Sequence, residues 1–209
     1  MLAAQHLAHD EQLDACLVVA ADSWLTREAL RWLEMSSPVR RQPTGLGMVP
    51  SEAGAALWLT RRSAATSRPR LLGCGVARVE APTSGSFPLG IAIEKALCAA
   101  VLPLSSLDHA VVDVGADAWG LAEVEVVMAR LAQRPWHGST WSPAESIGHV
   151  GAAAGLIAAL VGAHVIERYG DGGTALCIVS GHRCRRVAMV VGAQPRATAS
   201  GSEDIEWAL

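Results

Sequence analysis

The sequence predicts an α/β fold in which a mixed sheet is covered by helices on both faces. Three observations predict it. Apolar runs of strand length, nearly unbroken, alternate with longer helical segments, which is the pattern of strands buried on both sides. The last two runs follow one another across a tight turn and so form a terminal antiparallel pair. Finally, 51% of the 209 residues are hydrophobic and only 18% charged, a composition that can build a sizeable core and excludes a disordered chain.

Residues 2–9 (LAAQHLAH) have helical composition, and Asp14 to Ala21 (DACLVVAA) is a buried-strand run. Asp22-Ser23 ends that run as an N-cap pair. A helix is predicted after it through Leu25, Leu30 and Leu33, with Trp24 and Trp32 near its apolar face. Residues 36–50 read as loop, and Ala53 to Leu59 (AGAALWL) as a second strand. The polar, aperiodic stretch 63–70 is the best internal boundary. Beyond it come a strand at Leu71 to Val79, a Pro/Ser/Gly loop at 82–88, a helix at Ile91 to Val101 and a short strand at Ala110 to Val114. A helix at Leu121 to Leu131 and a long loop at 134–148 follow, then an Ala/Gly-rich helix over 149–166. Small residues on that helix would let sheets approach from both sides. Thr174 to Ser180 and Arg186 to Gly192 close the fold, and the tail beyond Gln194 reads as mobile apart from Trp207.

A net charge of −3 gives no reason to expect nucleic acid or an anionic membrane as partner. The longest apolar stretch, Val150 to Ile166, is short for a membrane span, so it reads as a core helix in a soluble protein. Five scattered cysteines without CxxC spacing (Cys16, Cys74, Cys98, Cys177, Cys184) read as reduced thiols in a cytoplasmic protein. No basic region followed by an apolar run marks a signal peptide. His6, His9, His137, His164 and His182 show no paired metal spacing, and no cofactor motif is present. Gly170-Asp171-Gly172-Gly173 reads as a turn rather than a phosphate loop. Lys95 is the single lysine, so any chemistry that needs one must use it.

Four segments carry a resemblance: CLVVAADSWL (16–25), GLGMVPSEAGAALWL (45–59), GHVGAAAG (148–155) and VSGHRCRRVAMVVGA (179–193). In this order they resemble the β-ketoacyl synthases (3-oxoacyl-carrier-protein synthases) of the thiolase-like superfamily. GHVGAAAG is similar to the family's G-H-x-x-x-A-A-G segment, and Ser51 stands where the second segment of the family has a glycine. The resemblance implies a layered α/β/α/β/α fold of two similar halves, present here incompletely. On it, residues 1–62 are the remnant of the N-terminal half, 63–195 the C-terminal half and 196–209 a mobile tail.

Condensation in this family needs a cysteine thiolate as acyl carrier and two further groups that drive decarboxylation and polarise the thioester. The resemblance places the nucleophile upstream of Cys16, and Cys16 itself lies within an apolar strand, where nothing stabilises a thiolate. By the same resemblance the first catalytic histidine falls at Val114, the family lysine at Ala144, and an acidic residue of the family at Glu123. One catalytic position survives, His149, which either donates to a carbonyl oxygen or serves only as a structural histidine. His109 reads as a surface residue ahead of its strand. Arg183, Arg185 and Arg186 suit a solvated edge, with an acidic carrier protein or a phosphopantetheine phosphate as the alternative. Trp136 and Trp141 lie in a long loop, as aromatics of a contact surface do.

The resulting expectation is a non-catalytic accessory or partner subunit. It would serve acyl-chain or polyketide-type systems, or sit beside a secretion-effector locus. It would pair as a homodimer or with another thiolase-like chain, and acyl carrier protein is a further candidate partner. The alternative is a fragment of a genuine 3-oxoacyl-carrier-protein synthase whose nucleophile-bearing part is missing. No cofactor is expected.

Overall fold

The computed structural model describes residues 10, 12–36, 39, 47–61, 68–78, 88–113, 118–131, 138–169, 173–181, 185–193 and 205–208. The helix expected at 2–9 and the loop at 82–87 lie outside these residues.

Strand β1 (Ala15–Ser23) pairs antiparallel with β2 (Glu52–Thr60) along its whole length, from Ala15 opposite Thr60 to Ser23 opposite Glu52. Helix α1 (Arg27–Ser36) lies between them in the chain. It is capped by Thr26, not by Asp22-Ser23: Ala29 N donates to Thr26 Oγ1 at 3.2 Å. The predicted cap pair is used elsewhere, as shown below.

The second part of the chain supplies β3 (Arg70–Arg78), α2 (Pro88–Ala100), β4 (His109–Val112), α3 (Ala118–Leu131), β6 (Thr174–Gly181) and β7 (Arg185–Gly192). These match the predicted elements within a few residues. The long loop of 134–148 does not remain a loop. Ser139–Trp141 forms β5, parallel to β4, and Pro143–Ile147 a single helical turn, α4. Ile205–Ala208, which includes the Trp207 that the sequence excepts from a mobile tail, forms β8, antiparallel to both β2 and β3. The eight strands make one sheet in the order β1-β2-β8-β3-β7-β6-β4-β5. β4 is parallel to β5 and β6, while β7 runs antiparallel to β6 and β3. The terminal antiparallel pair is therefore β6–β7, as the sequence predicts.

Side chains alternate across this sheet with the strand period of two. Val112, Leu176, Ile178, Ala188 and Val190 face α2 and α3, where they meet Leu89, Ile93, Val127 and Met128. Val111, Ala175, Cys177 and Val191 face the opposite way, onto Ala158, Ala159 and Ala163. Those alanines belong to α5 (Ala154–Tyr169), which a 3-10 turn at Gly151–Ala153 introduces. The same cluster takes in Leu57 and Leu59 of β2 and Cys16 and Val18 of β1. Helix α5 is thus held between the β1–β2 ribbon and the rest of the sheet, as its small residues predict. By length and composition Gly151–Tyr169 could also cross a membrane; here it packs against β2, β4, β6 and β7.

Close approach is purchased with glycine on the other face. A Cβ on Gly75 would lie 1.9 Å from Ala92 O, and one on Gly73 2.2 Å from Ala96 O, so β3 and α2 touch backbone to backbone.

Candidate functional site

Three chain segments converge at the C-terminal ends of β1, β4 and β6. Leaving β1, Asp22 splits its carboxylate: Oδ1 accepts from Ser23 N at 2.9 Å and Oδ2 from Ala152 N at 2.8 Å. The second bond ties β1 to the 3-10 turn that opens α5. Gly151, in that turn, has φ +58, and a Cβ there would sit 2.1 Å from Asp22 Oδ2 and 2.2 Å from Trp24 Nε1. Only glycine satisfies both the left-handed backbone and that contact.

His149 is positioned through its backbone. Its N donates to Val49 O at 2.7 Å, and its O accepts from Ser51 N at 3.0 Å. Trp24 N then donates to Ser51 O at 3.0 Å. The extended segment 49–51 thus joins the histidine to the end of β1. Gly148, at φ +77 just before it, is the C-cap of α4, where a left-handed residue suits glycine. The imidazole Nε2 is shielded from solvent.

Beyond the end of β4 stands Asp113. Its Oδ1 accepts from Ser180 N at 2.8 Å and from Ser180 Oγ at 3.3 Å, and Oδ2 takes neither bond. Burial raises its pKa above the ordinary carboxylate value, against the lowering pull of the Ser180 bonds and of Arg186.

These groups surround a cavity of about 310 Å³ lined by Asp22, Trp24, Met48, Asp113, Ala144, His149, Ile157, Val179 and Ser180, among others. His149 and Ala144, two of the four positions singled out in the sequence, therefore meet in one cavity, while Glu123 pairs with Arg186 away from it. The fourth, Val114, lies outside the described residues; its neighbour Asp113 lines the wall. Asp113, Asp22 and Ser180 were not legible as site residues. Their one signal is a polar residue ending an apolar strand, the place where α/β sheets gather ligand groups.

Other expectations are corrected. His109 is not a surface residue: it opens β4 and is 9% exposed, because Ser139 of β5 and Ala175 of β6 flank it in the sheet. Trp141 stacks on Tyr169 at 5.6 Å with its indole nitrogen buried, so it does not serve as an exposed contact aromatic. Trp136 lies outside the described residues, as do Arg183 and Cys184. Arg186 is not a free cation at the edge, since its guanidinium meets Glu123 Oε2 at 2.9 Å. Lys95 Nζ donates to Val76 O at 3.2 Å, away from the cavity. Among the described thiols, burial pushes Cys74 up to about 11 and Cys177 up to about 12. Cys16 packs beneath α5, and Cys98 is exposed on α2. Among the described residues no group of His, Cys, Asp and Glu is arranged to hold a metal ion.

No family model and no curated protein matches the chain. Solved structures do. A ketosynthase domain of oxazolomycin synthesis from Streptomyces albus JA3453 is similar at a TM-score of 0.75 and 16% identity, over 96% of this chain and 45% of that one. The ketosynthase from module 6 of the bacillaene synthase of Bacillus subtilis 168 gives 0.74 and 17%, over 94% and 45%. A ketosynthase in complex with its chain length factor from Xenorhabdus doucetiae gives 0.75 and 16%, over 92% and 56%.

The chain has the thiolase-like fold of the ketosynthases. It spans between 21% and 59% of the length of such solved chains, so it is a partial form of that fold. The cavity lies at the segment whose sequence resembles the ketosynthase histidine motif, and there it holds the histidine, His149, beside an alanine, Ala144.

Proposed function

We propose that the chain is a non-catalytic, ketosynthase-like accessory subunit that pairs with a thiolase-like chain, either a second copy of itself or a different one. The observation that carries this reading is the position and state of the thiols. None of the described cysteines lines the cavity that holds His149. Burial holds Cys74 and Cys177 as neutral thiols at physiological pH. Without a thiolate beside His149, an acyl thioester has no covalent station there.

Two observations support the pairing. Among the described residues nothing covers the outer face of the β1–β2 ribbon, where Leu17 is 55%, Val19 63% and Trp58 47% exposed. Similar solved proteins include a ketosynthase with its chain length factor and a ketosynthase with its acyl carrier protein. A carrier protein is accordingly the second partner we propose.

The experiment is incubation of the chain with acyl-thioester donors, followed by intact-mass measurement. No stoichiometric adduct is expected. A stable acyl adduct on any cysteine overturns the non-catalytic reading in favour of an acyl-handling enzyme, the alternative that the presence of His149 in the cavity supports.

A further inference from the structure

The cavity has a second property, independent of whether the chain is an accessory subunit. Two carboxyl groups, Asp22 and Asp113, line it, and among its described lining residues there is no lysine or arginine. Arg186, the cation felt by Asp113, has its guanidinium committed to Glu123 at 2.9 Å. Each oxygen of Asp22 already accepts one backbone bond, from Ser23 N and from Ala152 N. Asp113 differs, because both bonds from Ser180 fall on Oδ1. Its Oδ2 takes neither of them, so that oxygen can still accept from a ligand. Beside His149, Asp22 and Ser180 the wall has an apolar part, Trp24, Met48, Ile157 and Val179, and a volume of about 310 Å³ holds a small molecule.

We propose that this cavity binds a small apolar primary amine, the ammonium donating to Asp113 Oδ2 and the alkyl chain lying along Trp24, Ile157 and Val179. The chemistry selects the class. A carboxylate or phosphate ligand would meet two carboxyl groups and, among the described lining residues, no lysine or arginine. A neutral alcohol could donate one hydrogen bond but would leave the carboxylate charge unpaired in a partly dry site. An ammonium supplies both the donor and the missing charge, and a charge-assisted bond is the stronger kind.

The test uses the full 209-residue chain and three probes of equal length: hexylammonium, hexanol and hexanoate. Binding is read at neutral pH by saturation-transfer NMR and calorimetry. Hexylammonium is expected to bind more tightly than hexanol, and hexanoate not to bind. Asp113→Asn, which keeps an oxygen for the Ser180 bonds, should weaken hexylammonium about tenfold and leave hexanol unchanged. Hexanoate binding as tightly as hexylammonium, hexylammonium binding that the substitution does not alter, or no binding by any probe would each overturn the proposal. If Asp113→Asn fails to fold, the order of the three probes on the unaltered chain decides alone. The acyl-adduct experiment has a separate readout, so failure of one reading does not disguise failure of the other.

Discussion

The sheet β3-β7-β6-β4-β5 and the ribbon β1–β2 are built from equally apolar sequence but end in different surroundings. At the centre of the first, both faces are covered: Leu176 and Ile178 lie under α2 and α3, and Ala175 and Cys177 lie under α5, all four fully buried. In the second, the described residues cover one face and leave the other open. Cys16, Val18, Leu57 and Leu59 pack toward α5, while Leu17 opposite Trp58 and Val19 opposite Ala56 look outward. β1 is also the end of the strand order, so one side of its backbone has no partner strand among the described residues. Apolar composition therefore identifies the strands without saying which of their faces the same chain will cover. A bare apolar face on an edge strand is the surface on which a protein chain associates.

Substitutions that separate the two regions should differ most in stability. Leu176→Ala opens a cavity between two covered layers and should cost about 2–5 kcal/mol, read by chemical denaturation. Gly75→Val is next, because its Cβ would collide with Ala92 O at 1.9 Å and force α2 away from β3. Overpacking of this kind costs about 1–3 kcal/mol. Val19→Ser on the bare face should lie within about 0.5 kcal/mol in the separated chain. An equal cost at Val19 and Leu176 would erase the distinction between the regions.

The site links the two regions and yields a smaller, pH-dependent effect. The folded-state pKa of Asp113 is raised above its model-compound value of 3.8, so folding prefers its protonated form. That contribution to stability is fully present below the unfolded-state pKa and is lost as pH rises through the folded-state value. Asp113→Asn should consequently flatten the pH dependence of the melting temperature on the alkaline side of the ordinary carboxylate range, and should not destabilise the chain at neutral pH. A variant that melts lower at neutral pH with an unchanged pH profile would show that burial of this carboxyl has been misjudged.

Much of this architecture was legible because strand and helix periods are local. The β6–β7 pair and the α5 position follow from apolar runs and one Ala/Gly-rich segment, whereas His149 was singled out only by the family resemblance of that segment. What was missed is set by partners distant in the chain. Ser139–Trp141 is three residues in a Ser/Pro/Gly context, and only the register with His109 to Val111 makes it a strand. β8 likewise exists because β2 and β3 leave a gap that Ile205–Ala208 fills. Asp22 looked like a helix cap, yet its Oδ2 goes to Ala152 N, 130 residues away, and Thr26 caps the helix in its place. Asp113 carried no motif, since its role depends on Ser180, two strands later in the sequence.

We propose that the face of β1–β2 left open by the described residues is an association surface. Light scattering of the purified chain at micromolar concentration, beside a Val19→Asp variant, tests it most directly. The account predicts a mass above the 21.8 kDa of a single chain, falling to the single-chain value in the variant. A clean 21.8 kDa species from the unaltered chain that binds no apolar dye would contradict it.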